Sequence, residues 1–407
     1  MKISLMQRVD YYAGIPLCFA ISLFHKLKTL LLPDNKKNTA IDKILFIELS
    51  EMGSAILAYP AIMKAIEMAG RENVYFLIFE RNKESIEILN ILPEGNIITI
   101  ESNSFFVFCL SSLKVLAFLR SLKISASLDL ELFSRCTAII SYMCGAKYRA
   151  GFDNFCEEGL YRGNFLTHRV LYNPFYHMSR NFMALITALQ DSSSDIPLLK
   201  KQVAAAQIKL PKFKPEKKML DKISTVLRNE GFERTKFSSV FVFNPDPGVL
   251  HLRGWPLESY SKLADSILSD YEKSCVIIIG LDDSKKYAEK ISRANPHIFN
   301  LCGKTKNIKE LLALLAFADF FITNDSGPAH MAALVDIKTI VLFGPESPVR
   351  YSPLGENIRS LFAGLACSPC FSAANHRKSA CNNNICMQAI SVDEVKQAVQ
   401  KFDNASA

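Results

Sequence analysis

The sequence predicts an α/β protein of two domains, each a parallel sheet covered by helices, with parallel sheets facing an interdomain cleft at the carboxyl ends of the strands. Three observations predict it. At 407 residues the chain is long for a single core. Two passages alternate short apolar runs with helix-like stretches, the mark of βαβ units with doubly covered strands. Between them lies a polar, proline-bearing connector, DSSSDIP followed by PKFKPEKK. A composition of 49% hydrophobic and 22% charged residues is that of a globular protein.

Residues 1–40 carry IPLCFAISLF between Arg8 and His25, then Lys26 and Lys28. The run is shorter than the ~20 residues that span a bilayer, and it has no small-residue cleavage site. It reads as a helix in the membrane interface or, equally, as one packed on the first domain. Residues 41–190 form that domain, with strands over 44–49, 74–79, 97–100 and 126–130 and helices over 55–69, 83–89, 112–122 and 137–144. Residues 191–237 form a basic linker and connecting helix. All eight lysines from Lys200 to Lys222 belong to it as a solvated face, and only Phe213 interleaves with them, which argues against a base-stacking surface. Residues 238–407 form the second domain, with strands over 239–243, 275–280, 298–303, 319–323 and 339–344. No G-x-G-x-x-G follows any of these strands, which removes the amide cradle of a dinucleotide dehydrogenase. Most of the eleven cysteines lie singly, several of them in apolar stretches, as in a reducing, cytoplasmic compartment.

The densest signal is ADFFITNDSGPAHMAALVDIKTIVLFGPESP, residues 318–348. A strand runs into Asp325, Ser326 and Gly327, Pro328 opens a helix, and His330 falls in its first turn. A helix start of this kind offers free amides to a phosphate. In NPDPGVLHLRGWP a loop delivers Arg253, whose planar fork suits two diphosphate oxygens. Asp282, after another strand, can accept from a ribose hydroxyl. Near the amino end, KILFIELSEMGSAILAYPAI places Gly53, Ser54 and Glu51 at a strand-to-helix turn, and LDLEL adds Asp129 and Glu131.

NDSGPAHMAA with VLFGPESP, the RGWP segment and KILFIELSEMGSAILAYPAI resemble the heptosyltransferase family, glycosyltransferase family nine, from about residue 43 to the end. The resemblance implies a GT-B fold of two Rossmann-like domains. It also implies inverting transfer without a required metal or cofactor. The donor would be a nucleotide sugar of ADP-heptose type, bound through Arg253, Asp282, Asp325, Ser326, Gly327 and His330. The acceptor would be a lipid-linked glycan of the lipopolysaccharide kind, met at the inner face of the cytoplasmic membrane. Members of that family carry Gly-Asp at the first turn, the aspartate being the base. Here Gly53-Ser54 stands there, so either a nearby carboxylate takes over as base, Glu51 being the closest in sequence and Asp129 and Glu131 on the acceptor side the second candidates, or the transfer is lost. A homologue that binds without catalysis, and a GT-B nucleotide-sugar epimerase, are the alternatives. Cys367, Cys370, Cys381 and Cys386 have spacings compatible with a structural zinc knuckle, a pair of disulfides or packed thiols.

Overall fold

The computed structural model describes residues 3–31, 40–155, 159–191, 193, 195–203, 209–372, 375 and 377–404. The chain forms two compact units, 1–207 with 373–377, and 208–372 with 378–407. The basic segment therefore divides, and from residue 208 onward it belongs to the second unit.

In chain order the first unit contains α1 (Ile3–Tyr12), α2 (Gly14–Leu31), β1 (Ile44–Ile47), α3 (Met52–Leu57), α4 (Tyr59–Ala69) and β2 (Val74–Phe79). Then come α5 (Glu84–Glu87), β3 (Ile97–Ile100), α6 (Phe105–Leu122), β4 (Ala126–Asp129), α7 (Arg135–Met143), β5 (Tyr148–Asp153), β6 (His168–Leu171) and α8 (Met178–Ala188). Its six strands pair in the order β3-β2-β1-β4-β5-β6, all parallel. Every residue of β1 and β2 is buried, as strands covered on both faces must be. Leu45, Ile47, Tyr75 and Leu77 turn to one face, where Val115 and Leu119 of α6 and Ile140 of α7 close over them.

Three strands escape the apolar-run criterion. β5 reads YRAGFD and β6 reads HRVL. Arg149 of β5 is buried, yet its guanidinium donates to the carbonyls of Phe165 and Ala146, both at 2.7 Å, which satisfies a charge that hides the strand in the sequence. Helix α6 starts seven residues earlier than the apolar pattern suggests, because the Ser104 hydroxyl accepts from the Val107 amide and caps it.

The N-terminal helices are packed on the first unit. Asp10 accepts from the amides of Arg135 and Cys136 and pairs with the Arg135 guanidinium at 3.1 Å. Cys18 is buried beside Ala138 and Phe165.

The second unit contains α9 (Lys217–Asn229), β7 (Ser239–Asn244), α10 (Leu257–Asp270), β8 (Ser274–Ile278), α11 (Lys285–Ser292), β9 (Ile298–Asn300) and α12 (Ile308–Leu315). It continues through β10 (Phe320–Asn324), α13 (Gly327–Ala332), β11 (Lys338–Phe343), α14 (Pro348–Tyr351), β12 (Ile358–Phe362), α15 (Ile385–Gln388) and α16 (Val392–Asn404). The strand order is β12-β11-β10-β7-β8-β9, again all parallel. β12, the third strand missed, is a half-buried edge. The lysine-rich α9 pairs with its own unit through Lys222 and Glu310.

Both sheets reverse their strand order at one point, between β1 and β4 and between β7 and β10. The carboxyl ends of those strands are where an open α/β sheet binds ligands. Replacing Asp10 by alanine leaves the Arg135 charge buried without its carboxylate. The expected cost is about 3 kcal/mol, seen as a lower thermal midpoint together with faster proteolysis within residues 1–31.

Candidate functional site

At the first reversal, Ile47 of β1 lies opposite Asp129 of β4. Two residues further on, Glu131 reaches across. One of its oxygens accepts from the amides of Leu49 at 2.9 Å and Ser50 at 3.0 Å and from the Ser50 hydroxyl at 3.0 Å. Glu48 accepts from the Glu51 amide at 3.2 Å. Both carboxyls are buried, at 2% and 7% exposure. Burial first, then the neighbouring carboxylates, push Glu48 well above the usual carboxylate range and Glu131 up to about 7. Two acids close together in a dry site each oppose the other's ionisation.

Glu51 is the member of this group that solvent reaches, with 29% of its side chain exposed. It is the N-cap residue of α3, and the chain enters the helix at Met52 with Gly53 inside its first turn. Ser54 is buried, and its hydroxyl donates to Glu51 Oε2 at 2.7 Å. Arg377 forms an ion pair with the Glu51 carboxylate and lies over the Phe133 ring at 4.9 Å. The chain returns to the first unit to deliver this arginine, in the segment 373–377.

Asp129 has a different occupation from Glu131, although both were read as acceptor-side carboxylates. It is buried and paired with Arg162, whose guanidinium also donates to the Thr137 hydroxyl at 3.1 Å. Burial still raises its pKa against the pull of Arg162. Asp129 is thereby committed to the fold, and Glu131 to shaping the turn.

At the second reversal the expected donor residues meet. Arg253 ends a short 3-10 turn, and its Nε lies 3.2 Å from Asp325 Oδ2 while its Nη1 donates to the Asp325 carbonyl at 3.3 Å. Ser326 is the N-cap residue of α13 without a side-chain cap bond. Its hydroxyl instead lies 3.3 Å from both Asn244 Nδ2 and Thr323 Oγ1. Gly327 is the first helical residue. His330 is 6% exposed, buried within the helix rather than at its surface. Asp282 does not join them. Its side chain is 76% exposed and pairs with Lys285 at 2.6 Å, which holds its carboxyl below the usual range.

A residue that sequence reasoning passed over organises this group. Asn324 accepts from the Trp255 amide at 3.0 Å and the Tyr260 hydroxyl at 3.2 Å and donates to the Pro245 carbonyl at 3.0 Å. Asn384 donates to the carbonyls of Leu252 and Gly254, at 3.0 and 2.8 Å, on either side of Arg253. An asparagine ending an apolar strand, as in both FFITN and SVFVFN, was the available signal.

The four C-terminal cysteines lie near one another: burial first, then Cys370, Cys381 and Cys367, push the Cys386 thiol up. Cys386 is buried in the core of the second unit, Cys367 and Cys381 are exposed, and Cys381 donates to the Asn383 carbonyl at 3.1 Å. Among the described residues no three His, Cys, Asp or Glu side chains gather closely enough to hold a metal ion.

Residues 131–380, more than half of the chain, match the family model for glycosyltransferase family 9 (heptosyltransferase). The chain belongs to glycosyltransferase family 9. Lipooligosaccharide heptosyltransferase 2 of Campylobacter jejuni subsp. jejuni serotype O:6 is 29% identical over 165 residues, 39% of this chain and 50% of that protein. The protein of the same name in Haemophilus influenzae is 36% identical over 107 residues, 25% of this chain and 30% of its own length. The chain thus spans half or less of the length of these curated relatives. The structure of E. coli ADP-heptose lps heptosyltransferase II superposes with a TM-score of 0.63 at 17% identity, over 90% of this chain and 100% of that one. A family 9 glycosyltransferase from Veillonella parvula gives 0.66 at 17% identity, over 89% and 98%. Together with the two all-parallel sheets, these likenesses give family 9's α/β, GT-B-like fold.

Glu131 yields a pH test. Its folded pKa is raised, so between about pH 4.5 and about 7 the folded chain keeps a proton that the unfolded chain has lost, and stability falls as pH rises through that window. Glu131→Gln keeps an acceptor oxygen and removes the titration. Its thermal midpoint is expected to fall less than the wild type's between about pH 5 and about pH 8, a difference on the order of 1–3 kcal/mol.

Proposed function

We propose that the protein transfers a heptose-class sugar from a nucleoside-diphosphate donor to a hydroxyl of a lipid-linked, lipopolysaccharide-type acceptor, with inversion at the anomeric carbon. Family membership and relatives named heptosyltransferases support the reaction class. The observation that carries the assignment of roles is Glu51. It is a solvent-reached carboxylate at the carboxyl end of β1, with buried acids behind it and a cation beside it. Ser54 has no basicity of its own at neutral pH, but its hydroxyl donates to Glu51. The carboxylate sits one helical turn before the position where the family places its aspartate.

In this reading Glu51 accepts the proton of the attacking hydroxyl. Arg377 is its positioning residue, since a guanidinium paired to a carboxylate favours the carboxylate's charged form and fixes its orientation. As the glycosidic bond breaks, negative charge gathers on the leaving diphosphate. Arg253, held by Asp325, and the amides at the start of α13 stabilise that charge without a divalent ion.

The test is a transfer assay with purified protein, an ADP-heptose-type donor and a truncated lipopolysaccharide acceptor, following ADP release and product mass. Turnover that persists in a chelator is expected, and strict dependence on added metal refutes the charge assignment. Glu51→Gln is expected to lower kcat about 10²-fold or more; an unchanged rate places the base elsewhere. Arg253→Ala is expected to lower kcat/KM by about 10²-fold. Arg377→Ala should slow transfer and move the acid limb of the pH–rate profile upward, with partial rescue by Arg377→Lys. Donor binding without turnover on any acceptor would instead mark a homologue that binds and no longer catalyses.

A further inference from the structure

The first unit carries apolar side chains in water on two elements that the site does not use. On α2, Phe19, Leu23, Phe24, Leu27 and Leu30 are each between 49% and 70% exposed. On α6, Phe106, Leu110, Leu113 and Phe118 are between 44% and 71% exposed. Both stretches are long and apolar enough to cross a bilayer by length and composition, yet neither is free to do so. The opposite side of α1 and α2 is stitched to α7 and its neighbours along its length. Asp10 holds Arg135, Cys18 is buried against Ala138, Ser22 accepts from the Asn164 amide at 2.8 Å, and His25 meets the Tyr142 ring at 5.4 Å. The opposite side of α6 buries Val115 and Leu119 in the core.

The two apolar faces belong to one side of the sheet. The cluster that α6 and α7 close over β1 and β2 is also joined by Met6 of α1. The charges around the faces are mostly cationic, although exposed Glu101 sits just ahead of α6. Arg8, Lys26, Lys28, Lys114, Arg120 and the flanking Lys123 are exposed, and the single acid on α1, α2 and α6 among the described residues, Asp10, is turned inward onto Arg135. Large apolar side chains exposed side by side along each helix mark an interaction surface. Large apolar side chains rimmed mainly by cations fit a surface that is apolar within and anionic at its boundary.

We infer that α1–α2 and α6 together form a docking face that lies in the headgroup boundary of an anionic bilayer, parallel to its plane, without spanning it. The acceptor class proposed above gives this docking a purpose, and to that extent the inference rests on that reading, but the binding can be measured without any activity. The full chain is floated with vesicles of phosphatidylcholine alone and of phosphatidylcholine with an equal part of phosphatidylglycerol. Wild type is expected to float with the anionic vesicles and to be released by salt. Phe19→Glu with Phe24→Glu, and separately Phe106→Glu with Leu113→Glu, are expected to lower the bound fraction at least tenfold with unchanged thermal midpoints. Lys26→Ala with Lys28→Ala should weaken binding to the anionic vesicles.

Wild type that does not float overturns the inference, as does an α6 double variant that floats like wild type. Self-association that buries these residues overturns the choice of occupant. The double variants should still act on a soluble, delipidated acceptor. If wild type floats but transfers to no acceptor, the proposed reaction fails and the docking face stands.

Discussion

A buried carboxylate grips the end of the central strand of the first sheet, and the local architecture follows from that grip. Glu131 accepts two successive backbone amides and a hydroxyl just beyond β1, where the strand must stop and the chain must turn into α3. A polar group so deeply buried is tolerated because its bonds are satisfied. With the turn fixed, Glu48 points inward, Glu51 becomes the helix N-cap facing solvent, and Ser54 comes within reach of it. The second sheet solves the same problem with a neutral group. Asn324, at the end of β10, ties the loops after β7 together and so sets where Arg253 and Asp325 stand. One strand end is held by a buried acid and the other by an amide.

Much of the fold could be read from the chain because parallel, doubly covered strands must be apolar throughout. β1, β2, β7 and β10 satisfy that rule and fall within one or two residues of their expected positions. β5, β6 and β12 did not announce themselves. Two carry polar or charged residues whose needs are met only by tertiary partners, as Arg149 is by backbone carbonyls, and the third is a half-buried edge. The start of α6 was misplaced for a related reason. FFVFCL has the composition of a buried strand, and only the serine cap before it, together with an outer face left in water, makes it a helix.

The candidate site was legible where its residues are local and hidden where they are distant. The turn at 325–327 follows β10 directly and the loop after β7 carries Arg253, so both positions were legible, and the two meet in the structure. Asp282 obeyed the same positional logic but is taken up by a neighbouring lysine. His330 was expected at the first turn of its helix and is there, though buried. Arg377 is separated from Glu51 by 326 residues in a loop with no periodic pattern, and nothing local marks it. Glu48 could have been noticed, since an acid inside KILFIEL breaks an otherwise apolar strand.

The return of residues 373–377 to the first unit has a consequence for any attempt to take the molecule apart. The polypeptide is not two beads on a string, because the second half of the chain supplies the cation that neutralises the exposed carboxylate of the first. A cut at the connector near residue 207 would yield an amino-terminal fragment with its acids in place and their counter-charge missing, and a carboxyl-terminal fragment bearing an arginine with nothing to hold. Gene order and structural partition therefore disagree at this loop, and a chimaera that exchanged halves between relatives would have to exchange this short segment in the opposite direction.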